Sequence, residues 1–164
     1  MKSDFDGSWV AVMVRVSHER KVAEQLSVNG YECFLPLQPR TFLKIPEKDE
    51  PLFPGYLFCR YKTQCTLRIV QIPSVLSIVS FCNIPAVISE EEILSIFKIV
   101  SSQFFTESWT FPQEGQKVRI DSGPLEGVEG IFVSGTDSSK VVVNVGVLQR
   151  SIAVTVFDSN LIPV

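Results

Sequence analysis

Cys33, Cys59, Cys65 and Cys82 are the thiols of this 164-residue chain, and His18 is its single histidine. These are the side chains best suited to covalent or metal chemistry, and their spacing argues against both. No two cysteines stand as C-x-x-C, and one histidine cannot complete the usual zinc patterns. A cysteine nucleophile served by His18 is the catalytic alternative. Three of the four cysteines lie within or beside apolar runs, which favours buried, reduced thiols. Neither G-x-S-x-G nor a phosphate-binding P-loop occurs. The expectation is a protein with no catalytic residues, metal or cofactor, whose chemistry is binding.

The stretch "PLFPGYLFCRY", residues 51–61, supplies the binding candidates. Side chains alternate along a strand, so Tyr56 and Phe58 share one face and Leu57, Cys59 and Tyr61 the other. Both faces are apolar. If one packs on the domain's own core, the other needs a second cover, and an exposed aromatic patch on a soluble chain marks a partner site.

Composition narrows the class of partner. Hydrophobic residues make up 45% and charged residues 20% of the chain, the balance of a well-cored protein. A net charge of −3 disfavours indiscriminate coating of nucleic acid, though it leaves room for a local basic cluster. The first residues, "MKSDFDGS", have no apolar core of the signal-peptide kind. No apolar run approaches the roughly 18 residues of a membrane helix. The expected location is cytoplasmic, with no membrane partner.

The elements that must hold these residues follow from the pattern. "WVAVMVRV", residues 9–16, reads as a buried strand, and Ser17 as the cap of a helix from His18 to about Asn29 stopped by Gly30. "YECFLPLQPR" returns as a strand that Pro36 and Pro39 push to an edge. "TFLKIPEKDEPLFPGYLFCRY" reads as two strands, "CTLRIVQIP" as a short helix ended before Pro73, and residues 75–81 as a further strand. "SEEE" at 89–92 reads as a capping box. Behind it Ile93, Phe97, Val100 and Phe104 fall on one helical face. The sum is an α+β domain over residues 9–104, an antiparallel sheet with helices, after a tail at 1–8.

Residues 105–113, "FTESWTFPQ", show no period and read as a linker. From 114 to 164 the chain changes character. "QKVRI", "VEGIFVSG", "KVVVNVGV", "RSIAVTV" and "NLIPV" are five short strands between Gly-rich turns, which fits a small all-β barrel of SH3-like type.

"VRIDSGPLEGVEGIFV" resembles a KOW motif, with Gly123, Pro124, Gly127 and Gly130 in place. "WVAVMVRVSHERKVAEQL", "LFPGYLF" and "VLSIVSF…PAVISEEEI" resemble the NusG N-terminal domain. The two in this order, from about Trp9 to Val164, resemble the NusG family of transcription elongation and antitermination factors. The resemblance implies that the N-terminal domain sits on the clamp helices of the largest RNA polymerase subunit. It implies polymerase contacts at Phe53, Pro54, Tyr56 and Phe58, with Phe81, Ile93 and Ile96 as additions that read equally well as core.

"SHERKVAEQL" followed by "YECFLPL" is more similar to specialised paralogues of the RfaH, LoaP and UpxY kind, which act in selected operons. On that resemblance Arg15, His18 and Lys21, with Arg20 beside them, would contact non-template DNA. A cationic cluster at a helix start suits phosphates, and an ordinary solvated helix end has the same composition. Of the element that touches the polymerase gate loop, "CTL" at 65–67 retains only Thr66. Some relatives refold their C-terminal domain from helices to a barrel; the Val-rich strands here imply a permanent barrel. Nascent RNA, the ribosome and a termination factor are further partners the resemblance implies, the last two through the KOW domain. A housekeeping NusG-type role, and an RNA- or ribosome-associated KOW protein that never meets polymerase, are the alternatives.

Overall fold

Trp9–Val14 carries six residues without a charge, and in the computed structural model it forms β1, the centre of the first sheet. The structure describes residues 5–39, 49–63, 67–102, 106–109, 115–134, 139–156 and 160–164; the side chains of 107–109 and 134 are not described. The chain divides into two compact units, Met1–Glu90 and Glu91–Val164.

In the first unit, α1 spans Glu19–Val28 and ends at Asn29 and Gly30, the latter at φ +85°. Such a conformation suits glycine because it has no Cβ. Ser17 does not cap the helix. His18 occupies that position without a side-chain cap, while Ser17 takes φ +70° in the preceding turn. Cys33–Phe34 is β2, Leu37–Gln38 is β3, Glu50–Pro51 is β4 and Tyr56–Arg60 is β5. The expected strand at "TFLKI" lies outside the described residues. A single 3-10 turn at Ile69–Gln71 stands where the short helix was expected.

Val75–Ile78 is β6, Ser80–Phe81 is β7, Ile84–Pro85 is β8 and Val87–Ile88 is β9. The stretch read as one strand over 75–81 is thus broken at Val79. Beyond it β7 and β8 make a hairpin turning on Cys82 and Asn83, both at positive φ, the backbone that matches strand twist in a two-residue turn.

The main sheet runs β2-β5-β1-β6, with β9 also paired to β1; all its pairs are antiparallel. Strand β2 lies at the edge of this sheet, and Pro36 follows two residues after it ends. One face, with Val10, Val12, Val14, Leu57 and Cys59, packs on Val22 and Leu26 of α1 and on Ile69 and Ile72. Burying such side chains is worth about 1.5–3 kcal/mol each, so this layer fixes α1 on the sheet.

The helix α2, Glu90–Ser102, buries Ile93, Ile96 and Ile99. The expected stripe through Ile93, Phe97 and Val100 is therefore rotated: the isoleucines spaced by three turn inward, and Phe97 is exposed. Phe104 lies outside the described residues. In the second unit Thr106–Trp109 is β10, Gln116–Ile120 is β11, Glu129–Ser134 is β12, Ser139–Val145 is β13, Arg150–Val156 is β14 and Leu161–Pro163 is β15. They form one antiparallel sheet in the order β10-β14-β13-β12-β11-β15. The five expected strands are present, and a sixth lies within the stretch read as a linker. Thr106–Trp109 pairs with β14 from Thr106↔Val154 to Trp109↔Ser151. An edge strand of this kind needs no apolar alternation, because its partner supplies the hydrogen bonds.

Candidate macromolecule-binding site

Three turns meet at one end of the first sheet. The backbone N–H of Val14 donates to the Gly55 carbonyl at 2.9 Å, and that of Arg15 donates to the Ser74 carbonyl at 2.9 Å. His18 Nδ1 lies 2.7 Å from Ser74 Oγ, tying the start of α1 to the turn before β6. Glu19 is 3% exposed, and its Oε1 accepts the Gly55 N–H at 2.8 Å. A buried carboxylate is tolerated only with such partners. Here it braces the Pro54-Gly55 turn against the first turn of α1.

Gly55 itself stands at φ +82°, and a Cβ there would lie 3.5 Å from both the Val14 carbonyl oxygen and Val16 Cγ2. Ser17 and Ser74, at φ +70° and +73°, hold a conformation unfavourable for residues with a side chain. Strained backbone of this sort clusters at functional sites. Around these turns Arg15, Val16, Lys21 and Pro54 are exposed and Tyr56 is half-buried. Among the described residues neither Arg15 nor Lys21 has an ion-pair partner. The Arg20 guanidinium, also exposed, donates to the Asp49 carbonyl at 2.7 Å.

The basic group expected from the sequence is therefore assembled at one helix start, with His18 and Arg20 already engaged within the chain. The aromatic group divides. Phe58 was expected to face outward beside Tyr56, but it is fully buried. Its ring stacks on Phe34 at 6.1 Å and meets Phe53 edge-on at 5.9 Å. Phe53, Ile93 and Ile96 are buried as well. The reason is tertiary: Phe53, from the turn before β5, meets Phe58 edge-on, and pairing of β2 with β5 brings Phe34 opposite Phe58. Pro54 stays exposed, and Phe81 at the β7–β8 hairpin is 60% exposed. Thr66 lies outside the described residues.

A second set of contacts was not anticipated. The Arg60 guanidinium lies 4.7 Å over the Trp9 ring, bonds Glu32 at 2.9 Å and Glu90 at 2.6 Å, and donates to the Gly7 carbonyl. Trp9 Nε1 donates to Glu90 at 3.2 Å. The hydrogen bond from Arg60 is the largest influence and holds the Glu90 carboxyl below its usual range against the opposing effect of burial, with lesser help from the Trp9 hydrogen bond and the Arg60 charge. These partners are 81 and 30 residues from Glu90 in sequence; pairing of Trp9 with Arg60 across β1 and β5, and with Ile88 across β1 and β9, brings them together.

Of the glycines expected from the KOW resemblance, Gly123 and Gly127 have positive φ, +88° and +84°, and Pro124 follows the first. Gly130 is required for space: a Cβ would come within 2.6 Å of Val141 Cγ1 and of the Val142 carbonyl.

Among the described residues no cluster of His, Cys, Asp and Glu could hold a metal ion, and no helix is long and apolar enough to cross a membrane.

Fold and site together define an α+β sheet unit carrying a braced turn and a basic helix start, followed by a β-rich unit. The chain belongs to the NusG family: the family model described as "Transcription termination factor nusG" matches residues 7–97. Among solved structures, one described as "Domain interaction in Thermotoga maritima NusG" is similar at 20% identity, TM-score 0.58, over 94% of this chain and 95% of that one. An Spt4–Spt5 complex, "MjSpt4:Spt5 complex conformation A", aligns at 15% identity and TM-score 0.31 over 95% of this chain and 97% of that one. No match is found among curated proteins.

Proposed function

We propose that this chain is a non-enzymatic transcription elongation factor, acting in the cytoplasm, that binds RNA polymerase through its first unit and suppresses pausing or termination in selected operons. The observation that carries this reading is the NusG family match over residues 7–97, the segment that contains the braced Pro54-Gly55 turn and the basic start of α1. Pro54, Tyr56 and Phe81 are the side chains offered to the polymerase clamp helices, being exposed or half-buried. Phe53 and Phe58, being buried, are left to the core. Arg15 and Lys21, with His18 and Arg20 beside them, are placed for phosphates of the displaced DNA strand. The second unit takes the role of a KOW barrel, on its antiparallel strand order and on the glycines at 123, 127 and 130.

Retention of core RNA polymerase by the tagged full-length chain tests the first half of this proposal. Single-round transcription on a pausing template tests the second, with shorter pauses expected. No retention of polymerase overturns the reading and favours an RNA- or ribosome-associated protein instead. Retention with uniform effects on every template favours a housekeeping role.

A further inference from the structure

Strands β2 and β5 place Cys33 directly opposite Cys59. The Arg60 N–H donates to the Glu32 carbonyl at 2.8 Å. That bond makes Cys33 and Cys59 a non-hydrogen-bonded antiparallel pair, since hydrogen-bonded and non-hydrogen-bonded pairs alternate. In such a pair the Cα atoms lie about 4.5 Å apart and the side chains project to the same face. A disulfide accepts Cα separations of about 4.4–6.8 Å. Both residues are reduced thiols in the structure.

Their surroundings differ in a way that orders the chemistry. Cys59 is wholly buried beneath α1, whereas Cys33 is half-buried at the sheet edge. The Cys33 sulfur is held by weak contacts, 3.2 Å to Ser27 Oγ and 3.3 Å to the Ala23 carbonyl. Rotating it towards Cys59 gives up these two contacts, and the Cys59 sulfur gives up its 3.5 Å contact to the Arg60 carbonyl. Strand β2 is two residues long and lies at the edge of the sheet, so it can adjust without moving the centre.

We propose that Cys33 and Cys59 are a reversible redox pair, closed to a cross-strand disulfide by hydrogen peroxide and reopened by a dithiol. The Cys33 sulfur attacks the peroxide O–O bond, forming a sulfenic acid and releasing water. The Cys59 sulfur then attacks the Cys33 sulfur. The S–S bond forms, the S–O bond breaks, and the oxygen leaves as a second water with the remaining thiol proton. Two thiols are oxidised by two electrons and one peroxide is reduced to two waters. Cross-strand Cβ atoms sit slightly wider than a disulfide prefers, which makes the bond easier to reduce. The inference is independent of polymerase binding.

The test uses the full-length chain with Cys65→Ser and Cys82→Ser, leaving only the pair. After hydrogen peroxide and unfolding under acid, no thiol should titrate and the mass should fall by two hydrogens. Tryptic peptides 22–40 and 49–60 should be joined. Closing the loop should raise the melting temperature, and dithiothreitol should restore the starting value. Adding Cys33→Ser should abolish both the linkage and the shift. Two remaining thiols overturn the proposal, as does a Cys33 sulfenic acid that stays trappable by dimedone, or a linkage formed only in denaturant. In the natural sequence, a bridge from Cys33 to Cys65 or Cys82 in its place also overturns it.

Discussion

Tyr56 and Phe58 are two residues apart on β5, yet the same substitution at each should have opposite effects. Phe58 is enclosed by Phe34 and Phe53, so Phe58→Ala leaves a cavity and should cost about 3–5 kcal/mol of stability. Tyr56 is half-buried at the rim. Tyr56→Ala should leave most of the fold intact and weaken polymerase binding, by about 2 kcal/mol if the ring is a central anchor. Thermal melting and polymerase retention on each variant check both. Alternation along the strand correctly separates Leu57 and Cys59 from Phe58. What it does not reveal is that Phe53 and Phe34, from a turn and a neighbouring strand, close over Phe58. Burial of that face depends on long-range pairing, which a single stretch of sequence does not encode.

Glu90 gives a pH-dependent consequence at the same scale. Its carboxyl is held low by Arg60 and Trp9 in the folded chain. A depressed folded pKa means that its contribution is fully present above the unfolded carboxylate value. The contribution is lost as pH falls through the folded value. Melting temperature should therefore decline with acidification below the ordinary carboxylate range, and Glu90→Gln should remove that part of the decline. Identical slopes for the two proteins would count against the Arg60 bridge.

Among the elements, those with strong periodicity or β-branched runs were legible: β1, α1 and the four strands from β11 to β14. The missed element, β10, has the sequence "TESW", whose polarity hides a strand that gains its place by pairing with β14. The helical stripe of α2 was misread because two apolar stripes share Ile93, one continuing through Phe97 and Val100 and the other through Ile96 and Ile99, and packing selected the second. A fragment of residues 103–164 should therefore give a β-type circular dichroism spectrum and melt higher than one of residues 112–164, which leaves an edge of β14 unpaired. Equal melting temperatures would assign β10 no part in the stability of that sheet.

For the whole molecule, family membership was legible in the motifs of residues 9–97, the segment that the family model matches. Charge is the property that acts at this scale. The chain is acidic overall, net −3, while Arg15, His18, Arg20 and Lys21 gather at one helix start. Such a molecule should approach nucleic acid only where that patch can face it. Changing Arg15, His18 and Lys21 together to Ala should reduce recruitment to paused complexes but spare affinity for free polymerase. It should also flatten the dependence of recruitment on salt, by up to about one unit of logarithmic slope for each phosphate no longer neutralised. An unchanged slope would return the patch to ordinary solvated surface.

The close packing over Gly130 turns the second sheet into a genetic reporter. Because Val141 and the Val142 carbonyl occupy the place of any side chain there, every missense change in that codon should disable β12 against β13 while leaving residues 1–90 untouched. In a randomised gene library placed under selection for operon expression, glycine should be retained at this codon only if the cell needs the second unit. Counting survivors at one codon would thus measure the physiological demand for half the molecule, without any purified component.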